Sequence, residues 1–142
     1  MEVNHMILND VCREVVKDIS DAFAFGVVDL GSGALIAVHN EVTDLTQPYL
    51  DALAATAADM FRGKNIRRIE QLISDHRGVE VKHTLQEVFT KTDRTFHFMK
   101  VIRSRNVVAV LVTHTTTNQG MGWAGLRMAC DELEHAMGVL QP

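Results

Sequence analysis

The sequence predicts an α+β protein in which an antiparallel sheet is covered by helices on both faces. Two apolar runs, 23–28 and 34–38, flank residues 29–33, where Asp and Gly allow a tight reversal, and together they predict a β-hairpin. Both runs are apolar at nearly every position, which is typical of strands that are buried on both sides. Three helical patterns elsewhere in the chain can provide that cover.

The composition is that of an ordinary globular protein. Of its 142 residues, 46% are apolar and 23% are charged, and no apolar run approaches the ~20 residues of a membrane span. The first residues lack the basic and apolar regions of a secretory signal, so we expect a cytoplasmic protein without membrane insertion. The net charge of −4 and the short basic cluster at 62–68 indicate no nucleic-acid partner.

Two helices are predicted in the first half of the chain. Asn9 and Asp10 resemble an N-terminal cap, which predicts a first helix of about three turns after them. A second helix is predicted to start near Pro48 and to end at Gly63. Its many alanines leave two slim faces, which suits packing against a sheet on one side and another helix on the other. The apolar positions of the two patterns are Val11, Val15, Ile19, Ala22 and Phe23 in the first, and Leu50, Leu53, Ala54, Ala57, Met60 and Phe61 in the second.

The second half predicts three strands and a closing helix. Residues 64–83 fit a short helix or a strand, because their apolar residues have helical spacing but are largely β-branched. Strands are predicted within 85–92, at 95–102 and at 107–114. The last of these is apolar throughout from Val107 to Val112 and is therefore expected to be central, beside the first hairpin. Residues 115–118 cap the closing helix. Its apolar stripe consists of Trp123, Leu126, Cys130, Leu133 and Met137.

No group of residues predicts a catalytic, cofactor-binding or metal site. None of the seven histidines has the spacing of a metal signature, and we expect them to be scattered over the surface and exposed to solvent. His39 and His114 could still meet, because both lie at the ends of predicted neighbouring strands. Cys12 and Cys130 lie on the apolar faces of predicted helices. We expect them to be either small buried thiols or a disulfide or redox pair. Ser32 lies between glycines, but a strand follows it where a nucleophile elbow needs a helix. We therefore expect a protein that is not an enzyme.

The closing helix offers two features for binding. Its first residues include Gly120 and Gly122, which could expose backbone N–H groups to an anion or permit a tight crossing from strand to helix. Its exposed side is acidic, which indicates either a solvated face or a docking surface for a partner. The residues that we assign to such a docking surface are Arg127, Asp131, Glu132 and Glu134.

The order of helix, hairpin, helix, three strands and helix resembles that of the Roadblock/dynein light-chain domain family. Residues 25–37 resemble its first hairpin, and residues 108–122 resemble its last strand and the start of its last helix. The resemblance spans nearly the whole chain, so we expect one Roadblock-like domain over 1–142. Residues 64–83 form a longer segment than the family usually has between its second helix and third strand.

The resemblance implies a five-stranded antiparallel sheet with the second helix on one face and the terminal helices on the other. It also implies a homodimer formed through the second helix and an edge strand, and a role in regulating or scaffolding small Ras-like GTPases. No catalytic residues or cofactors follow from it. The residues that we assign to the dimer interface are Asp51, Ala55, Ala58, Asp59, Arg62, Glu87 and Phe89.

A small-ligand sensor is the alternative function. Profilin-, PAS- and GAF-like folds also cover an antiparallel sheet with helices, and such domains bind small molecules in a pocket. Methionine side chains adapt readily to a ligand, and four of them could line a pocket here. They are Met60, Met99, Met121 and Met128.

Overall fold

The computed structural model describes residues 2–43 and 45–140 and contains a five-stranded antiparallel sheet of order β2-β1-β5-β4-β3. The strands are β1 (Ala22–Asp29), β2 (Leu35–Asn40), β3 (Glu87–Lys91), β4 (Thr95–Ile102) and β5 (Val107–His114). The central position of β5 beside β1 confirms the prediction, since this strand is apolar over nearly its whole length and is covered on both sides.

The described residues form four α-helices: α1 (Glu2–Asp18), α2 (Gln47–Arg62), α3 (Lys64–Arg77) and α4 (Gln119–Leu140). The terminal helices α1 and α4 pack on one face of the sheet, and α2 packs on the other. The predicted fold class, an α+β sandwich with helices on both faces, is therefore confirmed.

The core beneath α1 and α4 is built from large side chains. Phe98, Leu126 and Leu133 are completely buried there. Trp123 stands edge-on to Phe98 with ring centroids 5.3 Å apart. A Cβ atom at Gly122 would lie 2.5 Å from Cζ of Phe98, so only a glycine allows the helix to cross the strand this closely. This close crossing is one of the two roles that the sequence analysis considered for the glycines at the start of α4.

The core beneath α2 is built from small side chains. Ala54, Ala57 and Ala58 bring the helix close to the sheet, and Phe61 anchors its last turn. Pro48 lies in the first turn, where its missing N–H removes no helical hydrogen bond, and Gly63 follows the last residue, so both predicted ends are confirmed.

Two predictions near the start of the chain are wrong. The first helix begins at Glu2, and Asn9 does not cap it: its Oδ1 accepts a hydrogen bond of 2.9 Å from the backbone N–H of Val38, on the edge strand β2. The hairpin is not covered equally on both arms, because β2 is an edge strand whose residues are mostly half-buried. Apolar composition alone did not distinguish this edge strand from a central one.

Residues 64–83, for which the sequence allowed either a short helix or a strand, form helix α3 and a loop. Gly78 ends the helix in the left-handed conformation, with φ 73°. The loop returns to the helix through the hydroxyl of Ser74, which accepts a hydrogen bond of 2.7 Å from the backbone N–H of Val81. The carboxylate of Glu70 accepts hydrogen bonds of 2.7 Å from both the backbone N–H and the hydroxyl of Thr84.

Candidate interaction surfaces

The side of α2 that points away from the sheet is exposed and nearly smooth. We call the residues Tyr49, Ala52, Ala55, Thr56 and Asp59 the α2 outer face. Only Tyr49 among them has a large side chain, and half of its surface is exposed. Small side chains let another helix approach closely, so the face has the shape of a helix-packing surface.

The structure divides the α2 residues that were assigned to a dimer interface. Asp51, Ala55 and Asp59 are exposed and Arg62 is half-buried. Ala58 was wrongly assigned, because it is completely buried against the sheet and lies beside Gly33 in the β1–β2 turn. Helical periodicity could have separated Ala58 from Ala55, since Ala58 shares its side of the helix with Ala54 and Phe61.

The β3 residues that were assigned to the same interface point the other way. Glu87 and Phe89 alternate with Val88, and they lie on the α4 side of the sheet, whereas Val88 packs on the α2 side. Phe89 belongs to an aromatic cluster, with ring centroids 5.1 Å from Phe98. A surface shared by α2 and the β3 edge would therefore use Val88 and Thr90, which the sequence analysis did not assign.

Glu87 is engaged by a cation from α4. Arg127 donates two hydrogen bonds to its carboxylate, of 2.9 Å from Nε and 2.8 Å from Nη2, and Lys100 Nζ lies 3.8 Å away. The hydrogen bonds from Arg127 hold the pKa of Glu87 below its ordinary value. The guanidinium of Arg127 also lies 5.3 Å from the Trp123 ring centroid. The structure thus joins two residues that the sequence analysis had placed on separate surfaces.

The acidic residues of α4 are exposed, as predicted, but they do not form one patch. Asp131 and Glu134 follow Arg127 at helical spacings of four and seven, on the side that faces β3 and the turn after β4. There Glu134 accepts a hydrogen bond of 2.9 Å from the hydroxyl of Ser104. Glu132 lies on the opposite edge of the exposed face of α4, away from β3. Only Asp131 and Glu132 among these carboxylates make no ion pair or hydrogen bond to a described residue.

The methionines do not gather around a pocket. Met99 is buried in the core and Met60 is half-buried on α2, whereas Met121 and Met128 are exposed on α4, across the sheet. A cavity of about 430 Å³ does lie between α1, the β1–β2 turn and the end of α4, lined partly by Leu8, Leu35 and Met137. None of the four proposed methionines lines it.

The histidines and cysteines are placed apart. His39 and His114 do not meet, because β1 runs between their strands. His97 is buried, contrary to the expected exposure, and burial lowers its pKa. Cys12 and Cys130 are free thiols, and burial raises the pKa of each to about 12. Over 2–43 and 45–140, no three His, Cys, Asp or Glu side chains are grouped as metal ligands, and no helix could cross a membrane.

Comparisons with known proteins find likeness in structure alone. No family model and no curated protein sequence matches this chain. MglB of Myxococcus xanthus is 21% identical with a TM-score of 0.71, over 97% of this chain and 92% of that one. A Roadblock/LC7 domain from Streptomyces avermitilis is 13% identical with a TM-score of 0.67, over 91% and 96%.

A further MglB structure, described as having a tetrameric arrangement, is 18% identical with a TM-score of 0.69, over 94% of this chain and 89% of that one. These identities are low, whereas the matched lengths approach the whole of both chains. The resemblance suggested by the sequence is therefore confirmed for the fold. The chain has the Roadblock/LC7 fold.

Proposed function

We propose that the protein is a non-enzymatic, homodimeric interaction module that regulates or scaffolds a small Ras-like GTPase. The observation that carries the proposal is the structural likeness to MglB over nearly the full length of both chains, together with the GTPase role that the Roadblock resemblance implies. The match covers 97% of this chain and 92% of that one, so little of either chain lies outside the shared fold.

The α2 outer face supports the dimer. One side of α2 seals the core with alanines and the other side presents small residues to solvent, an arrangement that suits a second helix. The exposed edge of β3 lies on the same sheet and could extend the contact. Asp51, Ala55, Asp59 and Arg62 remain in the proposed interface, with Val88 and Thr90 in place of Glu87 and Phe89.

The dimer is tested with a pair of substitutions on α2. Ala55→Glu places a charge on the exposed side and should give a monomer with native helicity, because a carboxylate in a helix contact would lose its water. Ala58→Glu places the same charge inside the protomer and should prevent folding. Sedimentation and far-UV circular dichroism distinguish these results. A dimer that survives Ala55→Glu would exclude the α2 outer face from the interface.

The GTPase role is tested by nucleotide dependence. A small GTPase orders its switch loops around the terminal phosphate, so a regulator that contacts those loops must bind the two nucleotide states with different affinities. A Ras-like GTPase from the same organism, loaded with GDP or with a non-hydrolysable GTP analogue, is titrated with the protein by calorimetry. We expect binding to one state in preference to the other. Equal affinity for both states, or no binding to any such GTPase, would refute the regulatory role.

A further inference from the structure

Helix α3 packs on the protein through a mixed face, on which Ile66 and Ile73 are half-buried beside polar anchors, and it leaves two large apolar side chains exposed to solvent. The side chain of Glu70 is buried, and that of Ser74 is half-buried against the returning loop. Ile69 and Leu72 are 51% and 57% exposed, and both lie on the side away from these anchors. A surface helix normally buries its apolar stripe, so this orientation indicates that another surface covers Ile69 and Leu72.

The exposed apolar residues of α3 continue a groove that begins on α2. This groove, with a volume of about 770 Å³, is lined partly by Thr56, Asp59 and Met60 of α2 and by Asn65 and Ile66 of α3, with basic side chains beside them. Two of these residues, Thr56 and Asp59, also belong to the α2 outer face. Ile66 lies one turn before Ile69 on α3, so one continuous surface runs from the α2 outer face to Leu72.

The α2 outer face alone is too small for a stable dimer. A helix of sixteen residues is about 24 Å long and about 10 Å wide, so one side offers a footprint of about 240 Å². A standard interface buries about 800 Å² on each partner. The proposed dimer therefore needs further surface: the β3 edge named above supplies part of it, and α3 is contiguous with α2 and carries unburied apolar side chains that can supply more.

The charges along α2 and α3 suit a second copy of the chain in an antiparallel arrangement. Asp51 is exposed near the start of α2, and Glu41 is exposed shortly before the helix. The bases Lys64, Arg67 and Arg68 are exposed at the start of α3, next to the end of α2, where they outnumber the exposed carboxylate of Asp59. A two-fold axis across α2 brings the acidic end of each copy to the basic end of the other.

We propose that α3 extends the homodimer interface, with Ile69 and Leu72 of each protomer packed against a second copy of the chain. This inference rests on the homodimer proposed above. The surface of α3 is then part of an isologous contact in which α2 supplies the smooth centre and the two copies of α3 supply apolar anchors at its ends.

The dissociation constant of the dimer tests the proposal. Gln retains helix propensity, so Ile69→Gln with Leu72→Gln removes apolar surface without weakening α3 itself. We expect this double variant to raise the dissociation constant by about tenfold or more in sedimentation equilibrium. The matched control is Met121→Gln with Met128→Gln, which removes two apolar side chains of still greater exposure from α4 and should leave the constant unchanged.

The outcomes separate this inference from the proposed function. If the wild type dimerises, Ala55→Glu disrupts it and the α3 double variant does not change its dissociation constant, the inference is wrong and the α2 dimer stands. If the wild type is monomeric at every concentration measured, both are wrong.

Cysteine labelling gives a second test that does not depend on destabilising the dimer. The native thiols are buried with raised pKa values and should not react at neutral pH, so a Leu72→Cys thiol can be followed alone. Its labelling rate should fall as protein concentration rises, whereas that of Met128→Cys should stay constant. If the Leu72→Cys thiol is protected from labelling only when anionic lipid vesicles or a GTPase is added, the surface belongs to that partner and the proposal is overturned.

Discussion

The two faces of the sheet are closed in different ways. Under α1 and α4 the core contains phenylalanines, leucines and a tryptophan, and two helices pack there side by side. Under α2 the helix contributes mainly alanines to valines of the sheet, and no other helix among the described residues contributes to this core. The first face is therefore completed within one protomer, whereas the second exposes a slim helix that a partner could cover.

This difference indicates where stability and where binding reside. Large buried side chains stabilise the fold, and their loss leaves cavities. A helix held by alanines buries less area per residue, so its outer side lies close to the sheet and remains available. We expect substitutions under α4 to affect the free energy of unfolding, and substitutions on the α2 outer face to affect association.

The largest expected effect is at Leu126, which is completely buried between α4 and the sheet. Leu126→Ala should lower the free energy of unfolding by about 2–5 kcal/mol, from lost burial and the cavity left behind. Val139→Ala, at an exposed position on the same helix, is the control and should change it by less than about 0.5 kcal/mol. Urea titration measures both. A small loss at Leu126 would mean that the face under α4 is not the stabilising one.

The second effect is at Gly122, where α4 crosses β4. An added methyl group would lie 2.5 Å from the Phe98 ring, so Gly122→Ala must displace the helix or the ring. We expect a loss of about 1–3 kcal/mol in thermal or urea unfolding. Gly120→Ala is the control, because that residue is exposed and meets only the side chain of Asn118. Equal results for the two would show that the crossing is not tight.

The fold was largely predictable because apolar periodicity is strong where elements are buried. The central strand β5, the stripe through Leu126 and Leu133, and both ends of α2 followed from local patterns. The start of α1 did not, because Met6 and Ile7 are exposed, so burial imposes no apolar periodicity at these positions. Asn9 resembled a cap because its side chain suits that role, and only the tertiary structure shows that it serves β2.

The candidate surfaces were less predictable, because they depend on which side of an element faces a neighbour. Alternation along β3 separates Glu87 from Val88, but the sequence does not state which of them faces α4. The pairing of Glu87 with Arg127 joins residues 40 positions apart, which no local pattern could reveal. The orientation of α3 depends in the same way on the hydrogen bonds between Glu70 and Thr84.

A smaller effect concerns the anchor of α3 on the α2 side of the molecule. Burial alone would raise the pKa of Glu70, but the hydrogen bonds from Thr84 together with the charges of His83 and Arg103 outweigh burial and hold this pKa below its ordinary value. A carboxylate with a lowered folded pKa stabilises the protein above its unfolded pKa of about 4.3, and the contribution is lost as pH falls through the folded value. The stability difference between wild type and Glu70→Gln should therefore shrink as pH falls. Urea titrations near neutral and acidic pH measure it, and a constant difference would show that Glu70 is not ionised.

The smallest expected effect on stability is at the ion pair of Arg127 with Glu87, on the α4 side. The guanidinium is exposed, and exposed ion pairs contribute little because water and salt screen them. A double-mutant cycle with Arg127→Met and Glu87→Gln should give a coupling free energy that is smaller than the cost of Gly122→Ala and weaker still at high salt.

If the GTPase docks on α4, the same Arg127→Met variant should change the association rate of the GTPase more than its dissociation rate, because exposed charges act mainly on encounter. Stopped-flow measurements at two salt concentrations provide both rates. An unchanged association rate would move the GTPase contact away from α4, toward the side of the molecule that carries α2 and α3.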